Sequence, residues 1–81
     1  MNQTDVINRL QPIFDDLFLD PVAVTAALSA KDVPEWDSLL QISLLIAVEQ
    51  AFNVRFRVGE VEATTNVGEF ADLIMRRSAE T

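Results

Sequence analysis

From Ser38 to Phe52 the chain runs fifteen positions with a single charged residue, Glu49. The apolar spacing in this run predicts a helix. On a wheel, Leu44, Leu45, Val48 and Phe52 share one broad side that faces a core. Leu39, Ile42 and Ile46 fall on the other side, among Ser43, Glu49, Gln50 and Asn53. A helix with apolar residues on both sides has two outcomes. Either it is central and buried all round, or Leu39, Ile42 and Ile46 form an exposed ridge that docks a partner. Ser38 and Gln41 fit a capping box at its start, with the serine hydroxyl accepting from a backbone N–H three residues on.

Two further helices frame this one. Val6, Ile7, Leu10, Ile13, Phe14, Leu17 and Phe18 recur at helical spacing and predict an amphipathic helix over residues 3–18. Pro12 lies inside it, where proline deletes one backbone bond and usually bends the axis or moves the start. A last helix opens at Asn66, with Glu69 completing a second capping box. Val67, Phe70, Ala71 and Ile74 form its buried stripe, and Arg76 and Arg77 suit its C-terminal dipole. Leu19 to Asp37, with Pro21 and Pro34, reads as a long connection with one helical turn near Val22–Leu28. Loops of this length are often functional, and Val24, Leu28 and Val33 are placed to pack it onto the core. The alternating run from Asn53 to Val58 reads as an extended connector pointing Val54, Phe56 or Val58 inward, and Gly59–Glu62 as a short third helical turn. The expected architecture is all-α, a small four-helix bundle with a long first loop and a short third helix, spanning residues 1–81 as one domain.

Composition narrows the chemistry. The chain has no cysteine and no histidine, and its formal charge is −7. Residues 1–37 carry seven acids against Arg9 and Lys31, a net of −5; residues 38–81 carry six against four arginines, a net of −2. This charge opposes nucleic acid and anionic membrane and suits a basic partner. Carboxylates, one lysine and hydroxyls do not titrate near neutrality without strong perturbation, so an enzyme is not expected. Asp15 and Asp16 are adjacent, point to different helix faces, and read as solvated. Asp32, Glu35 and Asp37 are a conceivable metal cluster, but they lack the glycine-containing calcium-loop pattern, and no metal site is expected. Residues 1–5 lack a basic and apolar leader, and the apolar stretch Leu44–Val48 is too short to span a bilayer. A cytoplasmic monomer is expected.

Asp37-Ser38-Leu39 at a helix start, followed by Leu44, Ala47, Val48, Glu49 and Phe52, resembles the acyl carrier protein family. The likeness extends back to the Val6–Phe18 helix and forward through Phe56 to the Val67–Ile74 stripe. It implies that Ser38 bears 4′-phosphopantetheine, a covalent group transferred from coenzyme A by a phosphopantetheinyl transferase that supplies Mg²⁺ and the base. Asp37 is implied to contact that enzyme or its metal, although read from the residues alone it is a good residue at a helix start, and Leu39 completes the motif. Acyl or aminoacyl thioesters would ride on the arm between a loading ligase, a synthase or an acyltransferase. The chain departs from the primary fatty acid carriers at Trp36, where glycine is usual, and at Leu40 and Ser43, which are often acidic there. These departures favour a specialised stand-alone carrier docking through Leu39, Leu40, Ile42 and Ile46 more than through charge. A helical interaction module that keeps the carrier fold without the group is the alternative.

Overall fold

Asn2 sets the start of the first helix. Its side chain accepts the Asp5 N–H at 2.8 Å while the Asp5 carboxylate accepts the Asn2 N–H at 3.2 Å, a reciprocal cap. In the computed structural model, which describes residues 1–57 and 59–79, helix α1 then runs Gln3–Leu17. Val6, Leu10 and Phe14 are fully buried along one stripe. The helix is continuous through Pro12, which lies on the exposed face together with Asn8, the residue whose carbonyl it leaves unpaired. Water can take that carbonyl, and the buried stripe opposite holds both halves in line.

Helix α2, Ser38–Phe52, and helix α3, Val67–Ala79, both pack against α1. The core joins Leu44, Val48 and Phe52 of α2 to Val67, Phe70, Ala71, Leu73 and Ile74 of α3. Helix α2 ends at Asn53 in the left-handed conformation (φ 54°). Arg9 reaches that end, donating to the Ala51 carbonyl at 2.9 Å and lying 4.1 Å over the Phe52 ring. A cation there complements the negative end of the helix dipole. The Asn66 side chain caps α3 through the Glu69 N–H at 2.9 Å. The returning half of the expected box is displaced by one residue, since the Glu69 carboxylate accepts the N–H and hydroxyl of Thr65 instead.

The long connection is fastened along its length. Gln11 donates to the Val22 carbonyl and accepts the Val24 N–H, at 2.8 and 3.0 Å. The amides of Val67 and Gly68 donate to the carbonyls of Leu28 and Ala26, at 2.8 and 2.9 Å. Val24 is buried, and Leu28 and Val33 pack against the core as expected. The helical turn falls later than 22–28: it is a 3₁₀ turn at Ala30–Asp32, fixed by the Asp32 carboxylate accepting from the Ser29 N–H and hydroxyl.

After α2 the chain is extended, with Val54 buried and Phe56 half-buried against Phe70; Val58 lies outside the described residues. Gly59 (φ 88°) begins a run of turns closed by Ala63 N–H to the Gly59 carbonyl and Thr64 N–H to the Val61 carbonyl. This run stands where the short third helix was expected, so the four-helix count is approximate. Among the described residues the protein is all-α, with three α-helices, one 3₁₀ turn and no strand. Among the described residues no helix is long and apolar enough to cross a membrane.

Candidate functional site

Ser38 is the first residue of α2, and its cap is the residue before it. The Asp37 side chain accepts the Leu40 N–H at 2.9 Å, and the Asp37 carbonyl accepts the Gln41 N–H at 2.9 Å. The expected Ser38–Gln41 capping box is therefore corrected: the helix starts one residue earlier in the cap register. The Gln41 side chain is turned elsewhere, its Oε1 accepting the Trp36 indole N–H at 2.6 Å.

This register decides what Ser38 can do. Its side chain is exposed, and no group among the described residues hydrogen-bonds its hydroxyl. It stands at the positive end of α2, beside backbone N–H groups that the helix leaves unpaired. A phosphate ester there would meet a favourable field. The chain has no histidine to serve as a base beside the hydroxyl. Asp37 is tied to the helix end, so the two adjacent side chains divide the tasks of capping and presentation.

A cleft of about 560 Å³ opens beside Ser38. Leu44, Val61, Val67 and Phe70 contribute its buried apolar surface, and Leu28 and Trp36 flank it. These residues come from four separate stretches of chain, and only Trp36 and Leu44 lie near Ser38 in sequence. Leu44, Val67 and Phe70 read as core in the sequence, and no local pattern gives the shape of the cleft between them.

The two faces of α2 now separate. Leu44, Val48 and Phe52 are buried, whereas Leu39, Ile42 and Ile46 are 74%, 56% and 52% exposed. The helix is not buried all round, and the apolar ridge is an outer surface running away from Ser38. Leu40 is half-buried against the core, so it belongs to the base of the ridge. The one acid of α2, Glu49, turns to accept the Phe56 N–H at 3.0 Å.

The three loop acids are each engaged by the chain itself: Asp32 with Ser29, Glu35 with the N–H groups of Leu19 and Asp20, and Asp37 as the cap. Among the described residues no cluster of carboxylates is arranged to hold a metal ion. Asp15 and Asp16 are exposed, with Asp15 accepting from Gln11 at 2.9 Å.

No family model matches the chain. It is 30% identical over 80 residues to an acyl carrier protein of Thermosynechococcus vestitus, covering 98% of this chain and 99% of that protein. The solution NMR structure of the holo acyl carrier protein from Geobacter metallireducens superimposes with a TM-score of 0.84 at 34% identity. That match covers 93% of this chain and 87% of the other.

Proposed function

The chain belongs to the acyl carrier protein family, and from that premise we propose that Ser38 is its attachment point for 4′-phosphopantetheine. Members of this family are carriers and not enzymes, and the chemistry at Ser38 needs a second protein. A phosphopantetheinyl transferase would bring Mg²⁺ and the base. The Ser38 Oγ would bond to the phosphorus of the coenzyme A pyrophosphate, its proton passing to the base. The bond to the departing adenosine bisphosphate would break. The group would supply the thiol that this cysteine-free chain lacks.

The observation that carries the reading is the free, exposed Ser38 hydroxyl on the first turn of α2, with Asp37 taking the capping role. Leu39 follows it outward and is the first residue a docking enzyme would meet. The cleft beside Ser38 fits an apolar thioester cargo folded back from the arm.

The pathway reading follows from α2. With Leu40 and Ser43 where acids are common, and Glu49 occupied by the Phe56 amide, the outer face of α2 offers apolar area more than charge. A specialised carrier docking through Leu39, Ile42 and Ile46, with Leu40 beneath them, fits this surface. Its partners would be a loading ligase, a synthase or an acyltransferase of a lipid, polyketide or related pathway, with acyl or aminoacyl cargo. A cytoplasmic monomer fits the role.

The test is the mass of the purified chain after incubation with a broad-specificity transferase, Mg²⁺ and coenzyme A. A gain of one phosphopantetheine, lost in Ser38→Ala, is the expected result; no gain with several transferases would overturn it. The same exposed ridge also serves a carrier-fold interaction module without the group. That reading predicts partner binding indifferent to any change at Ser38.

A further inference from the structure

The Trp36 indole stands between the cleft beside Ser38 and the aromatic part of the core. Its ring meets Phe14 and Phe18 edge-on, at centroid distances of 5.3 and 5.7 Å, and those two rings stack on each other at 5.0 Å. Its Nε1–H donates to Gln41 Oε1 at 2.6 Å, and Gln41 lies one helical turn beyond Ser38. Trp36 and Gln41 both line the cleft, whereas Phe14 and Phe18 do not. Turning the indole aside would break a half-buried hydrogen bond and separate two edge-to-face contacts at once. The ring is a fixed wall.

We propose that Trp36 is a specificity-determining residue: it closes the cleft on the α1 side and limits the length of apolar cargo that the chain can shelter. The proposal rests on the carrier reading of Ser38. A cargo chain entering over Leu44 and Phe70 meets the indole before it reaches Phe14 and Phe18. Chains longer than the walled cleft leave their ends in water. Replacing the indole with a methyl group would join the cleft to a space beside Phe14 and Phe18. The surrounding structure relaxes only partly into such a space, so longer chains gain room.

The experiment does not depend on a transferase. Ser38→Cys supplies a unique thiol in a chain with no other cysteine, and residue 38 itself lines the cleft. The full chain is joined by disulfide to n-alkyl groups of increasing length, from butyl to tetradecyl, and its Tm is read. Each methylene that is buried raises Tm by roughly 3–6 °C in a domain this small, and each that is not leaves Tm unchanged. The plateau is expected at a shorter chain in the Trp36 protein than in Trp36→Ala, with Trp36→Leu between them. The same plateau in all three overturns the proposal.

If the alanine variant does not fold, Trp36→Leu against the parent decides by the same criterion. Trp36 is the only tryptophan, so a bromine-terminated alkyl chain that lies against the wall quenches the protein's emission; unquenched emission overturns the proposal. Failure of the transferase to modify Ser38 would count against the carrier reading and leave these Tm and emission results standing.

Discussion

The Arg77 guanidinium donates to the Glu60 carboxylate at 2.6 Å, fastening the turn after Gly59 to the last turns of α3. Glu60 also accepts the Arg57 N–H at 2.7 Å. That backbone bond, with the charges of Arg77 and Arg57, holds the carboxyl below its ordinary value of 4.5 against the opposing effect of partial burial. A carboxyl whose folded pKa is depressed stabilises the fold above the unfolded value and loses that contribution as pH falls through the folded one. Glu60→Gln is therefore expected to be less stable than the parent at pH 7. The difference should shrink as pH drops below 4.5. Paired denaturant titrations across this range check it, and a constant difference at all pH values refutes the assignment.

The division of labour between Asp37 and Ser38 gives opposite outcomes for two neighbouring substitutions. Asp37→Ala removes the side chain that accepts the Leu40 N–H and should cost about 1 kcal/mol of stability. Ser38→Ala removes an exposed hydroxyl that no described residue hydrogen-bonds and should stay within about 0.5 kcal/mol of the parent. Urea unfolding of both variants is the measurement. A larger loss in Ser38→Ala than in Asp37→Ala would restore the serine as the cap.

The same pair shows how far the sequence could be read. Stripes such as Val6, Leu10 and Phe14, or Val67, Phe70, Ala71 and Ile74, are set by local periodicity, and the structure buries them. Val54 and Phe56 turned inward for the same reason. The choice between two adjacent capping residues is not settled by residue type, since Asp and Ser serve about equally well there. In the structure the Gln41 oxygen takes the Trp36 indole N–H, and that indole packs on Phe14 and Phe18 some twenty residues earlier. The cleft beside Ser38 likewise needs Leu28, Leu44, Val61 and Val67 brought together by tertiary packing. Whether the α2 ridge was buried or exposed depended on which faces α1 and α3 left uncovered, and a wheel does not contain that information. The acids of the long loop looked like candidate ligands in sequence because their backbone partners, Leu19 and Ser29, are fixed only by the folded loop.

Gly68 is expected to resist a substitution that helix propensity favours. It lies in the first turn of α3, and a Cβ there would come within 3.1 Å of the Ala26 carbonyl oxygen and 3.2 Å of the Ala26 Cβ. The same carbonyl accepts the Gly68 N–H at 2.9 Å, so the loop cannot retreat without stretching that bond. Alanine gains about 1 kcal/mol in propensity over glycine, while crowding of this kind costs about 1–3 kcal/mol. Gly68→Ala should lower stability by about 1 kcal/mol on balance, or Tm by about 4–8 °C in a domain of this size. A higher Tm would show that the loop yields freely.

The ridge on α2 separates a docking role from a structural one. Ile42 is more than half exposed, so Ile42→Asp should change unfolding free energy by no more than about 0.5 kcal/mol. If the transferase that modifies Ser38 docks across the ridge, its KM for the variant should rise about tenfold with little change in kcat, since an apolar anchor at an interface centre is worth about 1–2 kcal/mol. The parent's KM should also vary little with added salt, because the ridge carries no outward charge between Leu39 and Asn53 except the already engaged Glu49. A strongly salt-dependent KM together with an indifferent Ile42→Asp would move recognition off this face and onto the acidic residues elsewhere on the chain.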